Sequence, residues 1–295
     1  MVCIFHQNMR VFGGCSPPRN AAYSGAFTAI NAALPPGTGP IAVAGFTEIT
    51  NGATSNRALG PPVNLCGTLG TNFYSTVACG ETVLAHGPEF IGIGVNAAYT
   101  VLSIGRIFLN VDRGIKLEDD ISPALPPTNT WLNTVPEKAS YDYRGLVYVV
   151  ISDALANIFV VGFLHNRCPG EDQGPLIAQK IPYMAQMIKN KNPLVPVGAH
   201  VYIGGDFNVL PIQHRHTSTG YNIYAYSTGL PPGLLPNPPI IPGGTTQRGN
   251  LFDYWYSDIP PGGAIPVASV HHDTMSPVYP GPVNLSDHVA TTLRI

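Results

Sequence analysis

Eight short runs of nearly unbroken apolar residues recur along the chain, and they constrain the fold more than any other feature. They are Val2 to His6, Ile41 to Phe46, Glu89 to Val95, Leu146 to Ile151, Ile158 to Leu164, His200 to Gly204, Leu251 to Tyr256 and Val289 to Ile295. A strand with one wet face alternates apolar and polar residues, whereas a strand covered on both faces reads as continuous apolar sequence. Interior sheets covered by other layers are therefore expected. Between the first two runs, Ala22, Ala26, Phe27, Ile30, Ala33 and Leu34 keep helical spacing until Pro35-Pro36-Gly37 stops the segment. A second helix is expected to open at Gly174-Pro175 and to carry Leu176, Ile177, Ile181, Met184, Met187 and Ile188 on one side, with a kink at Pro182. The runs at 146–151 and 158–164, joined by Ser152 to Asn157, read as a β-hairpin.

Three segments carry little structure signal: Ile115 to Lys138, Thr217 to Gly249 and Pro260 to Pro282. They read as long Pro/Gly-rich surface excursions of a single domain over residues 1–295, because apolar runs resume after each. With 32 Gly and 30 Pro, turns and irregular loops are expected to dominate over long helices. Only 11 % of residues are charged against 44 % hydrophobic, so most of the surface is neutral and polar. The net charge of −2 and the 5 Lys among 15 basic residues exclude wholesale electrostatic attraction to nucleic acid. Any such contact has to be local.

The cysteines Cys3, Cys15, Cys66, Cys79 and Cys168 lack C-x-x-C spacing, which argues against a zinc ribbon or a dithiol redox motif. Cys66 and Cys79 flank a short loop, where one disulfide and two buried thiols are both open readings. Met1 runs almost directly into an apolar stretch without a basic n-region, so a signal peptide is either missing or already removed. The longest apolar runs are too short to cross a bilayer, and a soluble protein without membrane insertion is expected.

Chemistry concentrates in two motifs. In Tyr202-Ile-Gly-Gly-Asp206-Phe-Asn208-Val an apolar strand runs into two glycines and then presents Asp and Asn two residues apart. On extended backbone such residues share a side, so a carboxylate and an amide face one spot at the strand's end. Near the chain's end, Ser286-Asp287-His288 precedes a last apolar strand. There a carboxylate suits a hard cation and an imidazole titrates near neutrality.

Together these motifs resemble the endonuclease/exonuclease/phosphatase superfamily, whose members carry GDFN and SDH motifs, and the DNase I branch in particular. That resemblance implies an α/β (α+β) fold, a four-layered sandwich of two packed, mainly antiparallel sheets flanked by helices. It extends over residues 2–295. Asn8-Met-Arg10-Val-Phe-Gly13 is similar to the Asn-Ile-Arg-Thr-Phe-Gly stretch of DNase I. Glu48 in Phe46-Thr-Glu48-Ile stands at the family's metal-binding glutamate, although Thr47 replaces the usual Gln and weakens its expected support. His165 matches the first catalytic histidine, Asp253 the Asp that supports the final histidine, and Glu89 the glutamate that pairs with the first.

The resemblance implies a metal-dependent phosphodiester hydrolase. Glu48, Asn8 and Asp287 would hold Mg²⁺ or Mn²⁺, with Ca²⁺ as a further structural ion. His288, oriented by Asp253, would be the general base, and His165, supported by Glu89, would donate to the phosphate or the leaving oxygen. Asp206 and Asn208 would position water and phosphate, while Arg10, Arg57 and Arg167 would contact phosphate. The implied substrate is nucleic acid, with DNA first, and no obligate protein partner is evident. Two other readings stay open: a phosphoesterase of the same fold acting on a sphingomyelin-type lipid or an inositol phosphate, and a non-enzymatic interaction protein. A secreted or translocated protein suits the low charge somewhat better than a cytoplasmic one. His214-Arg215-His216 and His271-His272-Asp273 read as polar loops rather than a second metal site. Gly92-Ile-Gly94-Val-Asn-Ala97 is not a dinucleotide fingerprint, because no amphipathic helix follows it. Tyr254, Trp255 and Tyr256 read as core.

Overall fold

A computed structural model describes residues 1–12, 17–50, 71–83, 87–110, 116–123, 145–166, 180–209, 222–224, 252–259, 266–271, 286 and 288–295. In chain order these form β1 (Cys3–Phe12), α1 (Pro17–Ala32), β2 (Ile41–Thr50), β3 (Thr71–Val83), β4 (Gly87–Asn96), β5 (Thr100–Asn110), β6 (Lys116–Pro123) and β7 (Gly145–Ser152). Then follow β8 (Ile158–His165), α2 (Ile181–Lys191), β9 (Val201–Asp206), β10 (Asn222–Tyr224), β11 (Asp253–Ser257), β12 (Val267–His271) and β13 (Ala290–Arg294).

The strands make two sheets, one of six in the order β12-β13-β1-β2-β4-β3 and one of seven in the order β10-β11-β9-β8-β7-β5-β6. Each sheet holds one parallel pair at its centre, β1 with β2 and β8 with β9, and is otherwise antiparallel. Alternation along β7 explains the unbroken apolar runs. Val147, Val149 and Ile151 enter the core between the sheets with Ile4, Val43, Ile93 and Trp255. Leu146, Tyr148 and Val150 point the other way and pack with Ile181, Met184 and Ile188 of α2. On the outer face of the six-stranded sheet, Phe27 of α1 meets Phe5 edge-on with ring centroids 4.8 Å apart, and Phe46 closes the cluster. The order helix, sheet, sheet, helix is the expected four-layered sandwich. No described helix is long and apolar enough to cross a membrane.

Three expectations need correction. Each of the segments 115–138, 217–249 and 260–282 contains a strand, β6, β10 and β12 respectively, and all three are sheet edges. An edge strand pairs on one side and is only partly covered, so its sequence need not be continuously apolar. Strand β5 also carries no recognised apolar run, because Gly105 and the buried Arg106 interrupt it. Pro182 does not kink the second helix: it lies in the first turn of α2, where the missing N–H has no intrahelical acceptor to serve. Residues 174–179 and Cys66 lie outside the described residues, as does the side chain of Cys79. Cys3 is buried and free, and burial pushes its thiol up to about 12.

Close approach of the strands fixes one glycine absolutely. A Cβ on Gly205, immediately before Asp206, would run into the backbone carbonyl of Leu164 on the neighbouring β8. Backbone cannot swing aside as a side chain can. Gly205→Ala is therefore expected to lower the unfolding free energy by about 3 kcal/mol or more. Urea unfolding measures this, and a loss under about 0.5 kcal/mol, the level of a neutral surface change, would show that β8 and β9 can separate freely.

Candidate active site

The two parallel pairs bring their C-terminal ends to one place. Asn8 lies near the end of β1, Glu48 near the end of β2, His165 ends β8 and Asp206 ends β9 opposite it in register. Strand β11 runs antiparallel to β9, so its first residue, Asp253, pairs with Asp206. Strand β13 runs antiparallel to β1, so His288, two residues before it, arrives at the same edge. Polar side chains gather here because strand bodies buried on both faces offer them no room.

Glu48 reaches this edge through a local break in the sheet. Thr47 faces the other sheet, where its Oγ1 lies 3.3 Å from His6 Nε2. Regular alternation would turn Glu48 outward. Instead Glu48 adopts a left-handed backbone with φ of 57°, at a register shift between β2 and β4, and its side chain joins the same face. A bulge re-aims side chains in this way, and a non-glycine residue held in that region costs about 1 kcal/mol. Asn208 is also left-handed, at φ 50°, a conformation Asn tolerates well. Its backbone N–H closes a turn onto Asp206 Oδ1 at 3.0 Å, and its amide donates to the Asn166 carbonyl at 2.9 Å.

Asp206 is the node. Its Oδ2 accepts a hydrogen bond from Asn8 Nδ2 at 2.9 Å and lies 3.6 Å from His165 Nε2 and 3.7 Å from His288 Nε2. The same Asn8 amide donates to Glu48 Oε1 at 2.9 Å, and His165 Nε2 is 3.4 Å from that oxygen. Burial raises the Asp206 pKa; His288 and His165 oppose the rise, and Asp253 and Glu48 add to it. His288 donates Nδ1–H to Asp253 Oδ2 at 2.8 Å, which turns its Nε2 edge toward the node. That is the arrangement of an oriented base.

Among the described residues, two sets of side chains bring donor atoms within 4.8 Å of one another: Glu48, His165 and Asp206, and Asp206, Asp253 and His288. Asp253 and His288 already bind each other in the second set. The first has oxygen donors from two acids crowded in a largely buried space, which suits a hard divalent cation.

Searches by sequence find no matching family model and no matching curated protein. Shape is more informative. The human Nocturnin catalytic domain with bound sulfate superposes with a TM-score of 0.62 at 11 % identity, covering 99 % of this chain and 92 % of that one. An endonuclease/exonuclease/phosphatase family protein from Bacteroides thetaiotaomicron gives 0.56 at 14 % identity, covering 99 % and 96 %. This chain has the endonuclease/exonuclease/phosphatase fold. A mannosyl-6-phosphatase from Bacteroides thetaiotaomicron VPI-5482 shares it, with a TM-score of 0.58, 13 % identity and coverage of 99 % and 98 %.

On this superfamily fold, Asn8, Glu48, His165, Asp206, Asn208, Asp253 and His288 converge at one edge. Arg57, Arg167 and Asp287 lie outside the described residues, as do the side chains of Arg10 and Glu89. The backbone of Glu89 sits on β4 opposite Thr50, two residues beyond Glu48. Gly92 and Gly94 lie within β4, and Tyr254, Trp255 and Tyr256 are buried. His271 Nε2 lies 3.0 Å from Thr292 Oγ1, while His214 to His216, His272 and Asp273 fall outside the described residues. Sequence reasoning missed His6, which is fully buried between Thr47 and Asp253, its pKa lowered to about 3 by burial and then by His288 and His165. The available signal was its spacing of two from Asn8, which places both on one face of β1.

Because the folded-state pKa of Asp206 lies above its unfolded value, the ionised carboxylate is less favourable in the fold than in the unfolded chain. Stability is thus reduced at neutral pH and regained on acidification. Asp206→Asn is expected to raise the melting temperature in EDTA at pH 7, and added Mg²⁺ to stabilise the wild type more than the variant. A lower melting temperature for the variant would mean that Asp206 is held favourably as an anion.

Proposed function

We propose that the protein is a divalent-metal-dependent phosphodiester hydrolase, and foremost a DNase I-like endonuclease acting on DNA. The observation that carries this reading is the Asp253–His288 pair, whose imidazole Nε2 lies 3.7 Å from the Asp206 node that also meets Glu48 and His165. Glu48, with Asn8 and Asp287, would hold Mg²⁺ or Mn²⁺, which supplies charge stabilisation at the phosphoryl oxygens.

Hydrolysis forms one P–O bond from water and breaks the ester P–O bond. His288 Nε2 takes the proton from the attacking water, and Asp253 stabilises the imidazolium that results. His165, which Glu89 would support, would protonate the leaving oxygen. Asp206 and Asn208 fix the place of the water and the phosphate, and holding reactants in line is itself a large part of such catalysis. Arg10, Arg57 and Arg167 would meet backbone phosphates.

A second reading keeps the chemistry and changes the substrate to a lipid, sugar or inositol phosphoester. It is favoured by the net charge of −2 and by the mannosyl-6-phosphatase on the same fold. Substrate choice on a shared scaffold resides in the loops.

Supercoiled plasmid with Mg²⁺ or Mn²⁺ separates the two. Nicking is expected that disappears in EDTA and falls by about 10²- to 10⁴-fold in His288→Ala and in His165→Ala. An inert plasmid alongside turnover of sphingomyelin or a sugar phosphate would move the assignment to the second reading. Full activity in either histidine variant would remove that residue from the mechanism.

A further inference from the structure

His6 belongs to no part of the chemistry above, yet it lies behind it. The ring is fully buried and sits between the two sheets, stacked on Phe163 of β8 with centroids 6.3 Å apart and planes inclined by 22°. Its Nε2 is 3.3 Å from the Thr47 hydroxyl. Its Nδ1 is buried with no hydrogen-bond partner among the described residues and lies 4.0 Å from Asp253 Oδ1. The other oxygen of that carboxylate holds His288.

A neutral imidazole has one donor and one acceptor, and the neighbours decide which is which. If Nε2 carried the proton, the Nδ1 lone pair would face a carboxylate oxygen across a low-dielectric gap, which is repulsive. If Thr47 donates its O–H to Nε2, the Nδ1 proton points at Asp253. The second choice is the favoured one, because it turns a donor rather than a lone pair toward the carboxylate 4.0 Å away.

We propose that His6 is a positioning residue of the active site, its Nδ1–H directed at Asp253 Oδ1 across 4.0 Å so that the carboxylate lies between two imidazoles and keeps His288 aimed at the Asp206 node. The chain Thr47, His6, Asp253, His288 then crosses from β2 and β1 to β11 and back to the lead-in of β13, tying both sheets to the orientation of one base. The Thr at position 47 gains a purpose in this arrangement: a short hydroxyl is what fits beside a histidine on the adjacent strand. The inference rests on the reading of His288 as the base.

Two experiments test it. Imidazole nitrogen NMR of the intact protein is expected to find His6 as the Nδ1–H tautomer; the Nε2–H tautomer would overturn the proposal, whatever the protein's activity. Steady-state kinetics with bis-(para-nitrophenyl) phosphate and Mg²⁺ then compare three variants. His6→Leu is expected to lower kcat about tenfold or more with KM within about twofold, and to melt no lower than wild type. His6→Asn, whose amide nitrogen falls where Nδ1 was, is expected to recover most of kcat, and His6→Gln, whose amide falls at Nε2, to recover little. Equal kcat for the Asn and Gln variants, or an unchanged kcat in His6→Leu, would reduce His6 to packing. If wild type turns over no phosphoester at all, the proposed function fails, and the tautomer still decides the place of His6.

Discussion

Two sheets stacked face to face, each with its other face packed by a helix, leave room for a cluster of charged side chains chiefly where the strands end. The rest of the structure depends on that constraint. The parallel pairs β1/β2 and β8/β9 give each sheet two strands that finish together. Where those four ends meet, carboxylates, amides and imidazoles can face each other without interrupting the apolar interior. Antiparallel partners β11 and β13 then enter the same edge with Asp253 and His288 at or just before their first residues. The site is a product of strand direction more than of any one loop.

Such a site is energetically expensive to assemble. Three acidic groups share a largely buried space, Glu48 is held left-handed, and Asp206 is raised by desolvation. Proteins keep unfavourable arrangements of this kind mainly where function needs them. The cost is spread through the neighbours: the Asn8 amide bridges two of the acids, and two histidines stand within 3.7 Å of the Asp206 oxygen it holds. A cation between Glu48 and Asp206 would relieve the remaining repulsion.

How much was legible beforehand follows the same physics. Most central strands stood out because burial on both faces demands unbroken apolar sequence, as in Leu146 to Ile151. Edge strands β6, β10 and β12 did not, because partial cover makes no such demand, and β5 was hidden by Gly105 and the buried Arg106. The site residues were visible where polar groups follow an apolar run, as Asp206 follows Tyr202 to Gly205. His6 was invisible for the opposite reason: it ends an apolar run and resembles core, and only its register with Asn8 sets it apart. The turning of Glu48 was not readable either, since a bulge at a Thr-Glu step leaves no glycine to mark it.

The order of strands in the six-stranded sheet decides when the candidate site can close. Strand β13 is an interior strand, flanked by β1 and β12, and His288 lies just ahead of it. Until β13 docks, β1 has an open edge and His288 is not held beside Asp206. Completion of the candidate site is thereby tied to closure of the six-stranded sheet around β1.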